Sequence, residues 1–391
     1  MIAPFGVYVH IPFCAHRCDY CDFATWTDRD HLVDDYVAAC IDDLRGRATP
    51  PATSVFFGGG TPSLLAADRL VAILDAIERA PGCEVTVECN PDSVDAAKFA
   101  RYAAAGVDRV SLGAQSFVPH VLRSLNRTHD PGNVAAAIGW AREAGIERIN
   151  VDVIYGTVGE SLDDWRRSVD AVLELGVTHV SAYALTVEPA TPLGRAVAEG
   201  GTGAPDDDDQ ADKYVIVDDL LAAAGLENYE VSNWAVPGAE CRHNVLYWTM
   251  GEYVAIGCAG HGHTAGARWW NVRTPERYIA RIGAGRAPES GREELDAGGR
   301  AEEAFTLALR TRWGAPIGPL AAPAATALAD LTEARLVEAT GGRVRLTRAG
   351  RLLASDVTAR LLLSGIAVAP GPAPRDPGTP APGVGAGTRY H

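Results

Sequence analysis

SVFFGGGTPSLLAADRLVAILDAIERA, Ser54 to Ala80, carries the unit from which the fold is built. A short apolar run ends in three glycines and a turn. A helical pattern follows, in which Leu70, Ile73, Leu74 and Ile77 recur at i, i+3, i+4 and i+7 and form one buried stripe. The same strand-then-helix alternation extends in both directions. Upstream, GVYVHI (Gly6–Ile11) precedes DHLVDDYVAACIDDLRG (Asp30–Gly46). Downstream, EVTVECN (Glu84–Asn90) precedes SVDAAKFARYAAAG, which Gly106 closes at C′, and RVSLGAQ (Arg109–Gln115) precedes NVAAAIGWAREAG, closed by Gly145. RINVDVIYG (Arg148–Gly156) leads to SLDDWRRSVDAVLELG, with Ser161 as N-cap and acidic residues in the first turn; HVSAYAL (His179–Leu185) is a sixth strand. Six such repeats predict an α/β fold with a parallel sheet, either open and doubly wound or curved into a barrel. In both cases ligands collect at the C-terminal ends of the strands. The unusual polar residues fall there: Cys14, GGGTP, Glu88, Asn90 and Gln115, with Asp152 inside the fifth strand.

The chain has 391 residues, 47% of them hydrophobic and 22% charged, which is an ordinary globular balance. Its formal net charge of -15 argues against a nucleic-acid or anionic-membrane partner. No apolar run is long enough to span a bilayer, and the N-terminus lacks the basic and apolar regions of a secretory signal. The expected compartment is the cytoplasm, where thiols stay reduced. The eight cysteines fit that: three are clustered, and Cys40, Cys83, Cys89, Cys241 and Cys258 are scattered, unlike a disulfide framework.

After Leu185 the pattern loosens into a Gly/Pro loop, the acidic run Asp206–Asp209 and another helix. The acidic run reads as a solvated loop whose charges favour the helix that follows. YEVSNWA, the segment CRHNVLYWTMGEYVAIGCAGHGHTAG and a helical ERYIARIGAG come next. A small unit then begins near Arg300: helix AEEAFTLALRTRWG, helix PAATALADLTEARLVEATGG, strand RVRLT and helix AGRLLASDVTARLLLSG. This order is winged-helix-like, but the recognition helix has few cations, so a cap on the main domain is expected rather than a DNA reader. The expected organisation is a core over residues 1–200, an extension over 201–299, the small C-terminal domain over 300–367 and a disordered Pro/Gly-rich tail over 368–391.

The first strand runs into VYVHIPFCAHRCDYCDFATW, in which Cys14, Cys18 and Cys21 fall within eight residues as C-x₃-C-x₂-C. A structural zinc site closes with four protein ligands, usually as two pairs, and no second pair occurs here. Three thiolates on a [4Fe–4S] cluster would leave one iron open to a substrate or cofactor.

This loop resembles the signature of the radical S-adenosylmethionine (SAM) superfamily, including the aromatic Tyr20 before the third cysteine. The resemblance implies a partial (β/α)6 barrel, a [4Fe–4S] cluster on Cys14, Cys18 and Cys21, and SAM chelating the open iron. It also implies SAM contacts for Tyr8, for Gly59, Gly60 and Thr61 of GGGTP, and for Glu88, Gln115, Arg127 and Asp152. Read by itself, GGG is only a turn signal, whereas an aspartate inside an apolar strand is costly unless paired or functional.

The ordered motifs YVHIPFC, GGGTPS, ECNP, SLGAQSF, VDVIYG, HNxxYW and a C-terminal RVRLTxxG narrow the resemblance, over residues 5–365. They resemble the radical SAM family of oxygen-independent coproporphyrinogen III oxidase and the HemW-type heme chaperones related to it. The oxidase carries a fourth cysteine two positions after the third, and here that position is Phe23, in the CDF of the chaperone type. HNxxYW occurs as His243, Asn244, Tyr247 and Trp248. The resemblance therefore implies heme as a ligand, with His243 or Cys241 as its iron ligand and His261 and His263 as further candidates. The expected role is delivery of heme to respiratory hemoproteins, without coproporphyrinogen III oxidase activity. The alternative is oxidative decarboxylation of coproporphyrinogen III to protoporphyrinogen IX. Nucleic-acid binding and stable membrane insertion are not expected, and a homodimer is compatible with the sequence.

Overall fold

The structure, a computed structural model, describes residues 3–127 and 130–366. Six strands run parallel in chain order: β1 (Phe5–Ile11), β2 (Ala52–Gly59), β3 (Arg79–Cys89), β4 (Arg109–Gln115), β5 (Arg148–Tyr155) and β6 (His179–Ala184). Between them lie α1 (Val33–Gly46), α2 (Ala67–Asp75), α3 (Ala96–Ala104), α4 (Pro119–Ser124), α5 (Pro131–Glu143) and α6 (Leu162–Glu174); α7 (Pro192–Ala198) and α8 (Asp207–Ala223) follow β6. The strands pack buried Val, Ile and Phe into one core with helix residues such as Tyr36, Leu70, Phe99, Ile138, Trp165 and Val217. This arrangement is a partial (β/α)6 barrel.

The barrel does not close. β7 (Glu227–Glu230) and β8 (Asn233–Ala235) form a hairpin whose β8 pairs antiparallel with β6. After α9 (Arg242–Trp248), β9 (Glu252–Ile256) adds parallel to β1 on the other side, with Tyr8 opposite Ala255. β10 (His261–Thr264) and β11 (Ala267–Asn271) continue that edge; α10 (Pro275–Gly283) and β12 (Glu289–Glu294) follow. The sheet is twelve-stranded, in the order β12-β11-β10-β9-β1-β2-β3-β4-β5-β6-β8-β7.

The C-terminal unit comprises α11 (Ala297–Leu309), β13 (Ala315–Pro316), α12 (Ala322–Glu333), β14 (Val337–Thr340), β15 (Arg343–Leu346), α13 (Arg348–Leu352) and α14 (Ala354–Leu363). It has its own apolar core, including Phe305, Leu309, Leu328, Leu331, Val344 and Leu361. Four helices around a small three-stranded sheet are a winged-helix-like arrangement.

Several expectations are corrected at this level. The helix expected to reach Ala80 stops at Asp75, because Arg79 already pairs with Ala52 as the start of β3. The long C-terminal helix expected through Gly342 stops at Glu333. Arg335 then takes a left-handed conformation (φ 58), and β14 and β15 form a hairpin across Gly341 and Gly342, both at positive φ. The helix expected over 349–365 breaks at Leu353 into α13 and α14. Asp206–Asp209 is not a loop: Asp206 accepts the Asp209 N–H as N-cap and the other three form the first turn of α8. The capping expectation for Ser161 is met by a full capping box with Asp164. The expected tail at 368–391 lies outside the described residues.

Candidate functional site

The C-terminal ends of β1 to β5 build the site. Leaving β1, the chain bridges Phe13 to Trp26, and the Cys14 N–H donates to the Trp26 carbonyl at 3.0 Å. The cysteine loop is therefore closed at its base. All eight cysteines are free thiols. Thr61 Oγ1 donates to Cys14 Sγ and Arg127 Nη1 to Cys18 Sγ, each at 3.6 Å. The GGG turn packs directly beneath: the Gly60 N–H donates to the Ile11 carbonyl at 2.8 Å and the Thr61 N–H to the Phe13 carbonyl at 2.9 Å. A Cβ on Gly60 would lie 2.7 Å from the Phe13 carbonyl oxygen and 3.0 Å from Cys14 Sγ, so only glycine fits there.

Among the described residues no three His, Cys, Asp or Glu side chains form a ready-made site for a single metal ion. A [4Fe–4S] cluster asks for something else, since each thiolate takes its own iron at a separate corner. The donor set fits that demand. Three reduced thiols share one loop, Cys14 and Cys21 have their pKa pushed up by burial, and iron would reverse that shift. Tyr20 packs beside Val118, Val121 and Leu125, and burial holds its phenol protonated next to Cys18.

Behind the loop lies a chain of polar contacts on which His10, unremarked in the sequence, is central. Tyr8 Oη stands 3.1 Å from His10 Nδ1, and His10 Nε2 stands 3.0 Å from the Ala24 carbonyl. The carbonyl can only accept, so Nε2 carries the proton and Tyr8 donates to Nδ1. Burial lowers the His10 pKa to about 4 and keeps the ring neutral. Gly59 sits at φ 111, and a Cβ there would fall 2.4 Å from His10 Nδ1. The Gly59 N–H donates to Glu88 Oε2 at 3.1 Å. Burial, with Asp152 next in effect, pushes the Glu88 pKa up to about 8.

Sheet register places Glu88 opposite Ser111, Ser111 opposite Asn150, and Asp152 between Gly113 and Ser181. Asp152 accepts from Ser111 Oγ and from Asn150 Nδ2, both at 2.8 Å. Asn150 is in turn held by His179, 2.6 Å away, and His179 by Tyr229 at 2.9 Å. Burial raises the Asp152 pKa while these donors pull it back. Gln115 ends β4 in a left-handed conformation (φ 62) at a register shift, a strained position of the kind found where a side chain is aimed at a ligand. A Cβ on Gly113 would meet Gln115 Nε2 at 2.9 Å and Arg127 Nη2 at 3.0 Å, so both side chains lie over that glycine. Ser111, Asn150 and Ser181 had a signal in the sequence: Asn150 precedes Asp152 by two residues and so shares its strand face.

Tyr8, His10, Gly59 and Glu88 lie on the floor of a cleft of about 500 Å³. Its rim is formed by Phe23, Tyr247, Tyr253, His261 and Arg273. Phe23 is 65% exposed, unusual for a phenylalanine and informative because it lines a cavity.

The two expected heme ligands are elsewhere. His243 is fully buried, with Nδ1 2.9 Å from Ser54 Oγ and Nε2 2.9 Å from Tyr247 Oη, so both ring nitrogens are occupied. Cys241 is also fully buried, 3.5 Å from Glu84 Oε1, and burial pushes its thiol up to about 12. Both are fully buried, and neither lines the cleft in this structure. Their segment instead anchors α9. The Arg242 and His243 N–H groups each donate to Glu84 at 3.2 Å, and burial of that carboxylate is offset by Arg148 at 2.7 Å. The GHGHT segment is strand β10, paired to β11, with the turn at Ala265 and Gly266. His263 donates Nδ1–H to the Gly251 carbonyl at 3.0 Å, while His261 faces the cleft.

Sequence comparison agrees with this architecture. A profile of the Radical SAM superfamily matches residues 8–172, and one of the HemN C-terminal domain matches residues 295–353. The heme chaperone HemW of Mycobacterium tuberculosis (strain H37Rv) is 45% identical over 370 residues, covering 92% of this chain and 95% of that protein. This chain belongs to the HemW-like radical SAM family. The heme chaperone HemW of Bacillus subtilis is 33% identical, over 90% of this chain and 97% of that protein. Among solved structures, coproporphyrinogen III oxidase (HemN) from Escherichia coli superposes with a TM-score of 0.79, over 92% of this chain and 90% of that one. At 20% identity that likeness speaks for the shared fold alone. Membership of the HemW-like family implies a [4Fe–4S] cluster and SAM. Among the described residues no helix is long and apolar enough to cross a membrane.

Proposed function

We propose that this chain is a cytoplasmic heme chaperone that holds a [4Fe–4S] cluster and SAM, binds heme and hands it to respiratory hemoproteins. Phe23 carries the reading. The oxidase has a cysteine at this place, and here the position presents an exposed apolar ring to the cleft.

Cys14, Cys18 and Cys21 would hold the cluster, leaving one iron for SAM. When bound, the pair supplies one-electron chemistry that no side chain can provide. The chain's own residues position and tune. The Gly59–Thr61 backbone passes close to the cysteine loop and presents main-chain groups to SAM. The Gly59 N–H fixes Glu88 at the cleft floor, where a carboxyl of raised pKa becomes an anion once an ammonium group arrives. Tyr8, Tyr20, Gln115, Arg127 and Asp152 complete the SAM-facing set; Asp152 is held by Ser111 and Asn150. Arg127 also donates to Cys18 Sγ, stabilising a thiolate.

The test is an anaerobic assay of the reconstituted protein with coproporphyrinogen III, SAM and reductant, followed by transfer of bound heme to an apo-hemoprotein. We expect no turnover to protoporphyrinogen and measurable heme transfer. Multiple-turnover product formation sinks the chaperone reading. Replacing Cys14, Cys18 or Cys21 by Ala should remove iron, sulfide and brown absorbance while far-UV circular dichroism is retained; full iron content in such a variant defeats the ligand assignment.

A further inference from the structure

We propose that heme is seated at the rim of the cleft, with the His261 imidazole as axial iron ligand and Arg273 as the partner of a propionate. This rests on the heme-binding reading above and replaces the HNxxYW segment as the place of ligation.

The argument begins with the histidines. His10, His179 and His243 have both ring nitrogens engaged, His263 has Nδ1 engaged, and His120 pairs with Asp164. His16 and His31 are exposed but do not line the cleft, and His129 and His391 lie outside the described residues. His261 lines the cleft, and among the described residues neither of its ring nitrogens has a hydrogen-bond partner. Its ring lies against Trp270, with centroids 5.9 Å apart and planes 27° from parallel, which orients the imidazole without occupying a lone pair. Partial burial lowers its pKa, so at neutral pH the ring is neutral and keeps a lone pair for a metal.

The surroundings match a flat, largely apolar macrocycle with carboxylate side chains. Phe23 offers an exposed face, and Tyr247 and Tyr253 meet edge-to-face at 4.7 Å as one aromatic wall. Arg273 is exposed at the rim and, among the described residues, has no ion pair. A guanidinium without a partner beside an aromatic wall is suited to a carboxylate at the edge of a bound ring. The floor residues Tyr8, Gly59 and Glu88 remain below, on the SAM side. His243 then has a different part to play. It holds the Tyr247 hydroxyl and so positions a wall of the seat without touching iron.

The experiment is hemin titration of the cluster-loaded protein, read as a Soret difference spectrum and by resonance Raman for the axial ligand. Wild type should show imidazole ligation. His261→Ala should lose that signature and bind at least tenfold more weakly. His261→Met should replace it with a thioether signature. Arg273→Ala should weaken binding about threefold to tenfold with imidazole ligation intact. Far-UV circular dichroism and iron content unchanged from wild type show that each variant is folded. If wild type binds no hemin, the function proposed above fails. If wild type binds and His261→Ala keeps both affinity and imidazole signature, heme binding stands and this seat is overturned. A thiolate signature in wild type, or loss of the imidazole signature only in His243→Ala, also overturns it. Wild-type affinity in Arg273→Ala overturns the propionate assignment.

Discussion

His243 shows how one buried residue does structural work that its motif disguises. A neutral imidazole has one donor and one acceptor, and Ser54 and Tyr247 use one each. Protonation would put a second donor and a charge into a fully buried site, and burial accordingly lowers the pKa from 6.5 to about 4. The unfolded chain takes up a proton at higher pH than the folded one. Stability is therefore lost as pH falls through the window from 6.5 toward 4. His243→Gln removes this proton uptake. At pH 7.5 the variant should be about 2–4 kcal/mol less stable, from lost packing and unsatisfied hydroxyls. Below pH 6.5 that gap should narrow by about 1.4 kcal/mol per pH unit. Urea unfolding of both proteins at pH 7.5, 6.0 and 5.0 measures it, and a gap that stays constant contradicts the account.

At the scale of the element, the turn after β2 is the most constrained segment of the site. Gly59 needs a positive φ and also has no room for a Cβ beside His10, whereas Gly225 has a positive φ and open space around it. Gly225→Ala should cost about 1 kcal/mol, from left-handed strain alone. Gly59→Ala adds a clash with a ring held on both sides, and should cost about 3 kcal/mol or more while lowering cluster occupancy. Thermal melts and iron content of the two variants separate strain from crowding; equal losses would mean that His10 simply moves aside. The strand ends were readable because a polar or glycine residue after an apolar run has few structural explanations. Other elements were not. Ile77 continues the α2 stripe, yet the chain has already turned toward β3, and over so few residues periods of 2 and 3.6 look alike. VEAT after α12 and HGHT in β10 are strands only because β15 and β11 pair with them, a tertiary fact that four residues cannot announce. His261 ranked only as a further candidate for the same reason. Its placement at the cleft depends on β9 joining β1 from more than 240 residues away in sequence.

For the molecule as a whole, the C-terminal unit is bound to the barrel through its cations. Arg351 and Arg348 both reach Asp218 of α8, at 2.9 and 3.1 Å, and Arg348 also reaches Asp219 at 2.7 Å. Arg351 lies over the Tyr214 ring, and Asp218 additionally accepts from Trp234 Nε1 at 2.8 Å. Arg312 pairs with Glu227 and Glu240, and its N–H donates to the Tyr229 carbonyl at 3.0 Å. Arg312, Arg348 and Arg351 are thus engaged in fastening the unit to the barrel. Asp218→Ala leaves Arg351 and Trp234 without their partner at a largely buried contact, and should cost about 3–5 kcal/mol. Arg360→Ala breaks only an exposed pair with Asp330 inside the unit, and should cost less than about 1 kcal/mol. Hydrogen exchange locates the damage. In Asp218→Ala, amides of residues 297–366 should exchange faster while β1–β5 stay protected and iron content is unchanged. Loss of protection spread evenly over the barrel would mean that the contact supports the core itself and is more than the fastening of a cap.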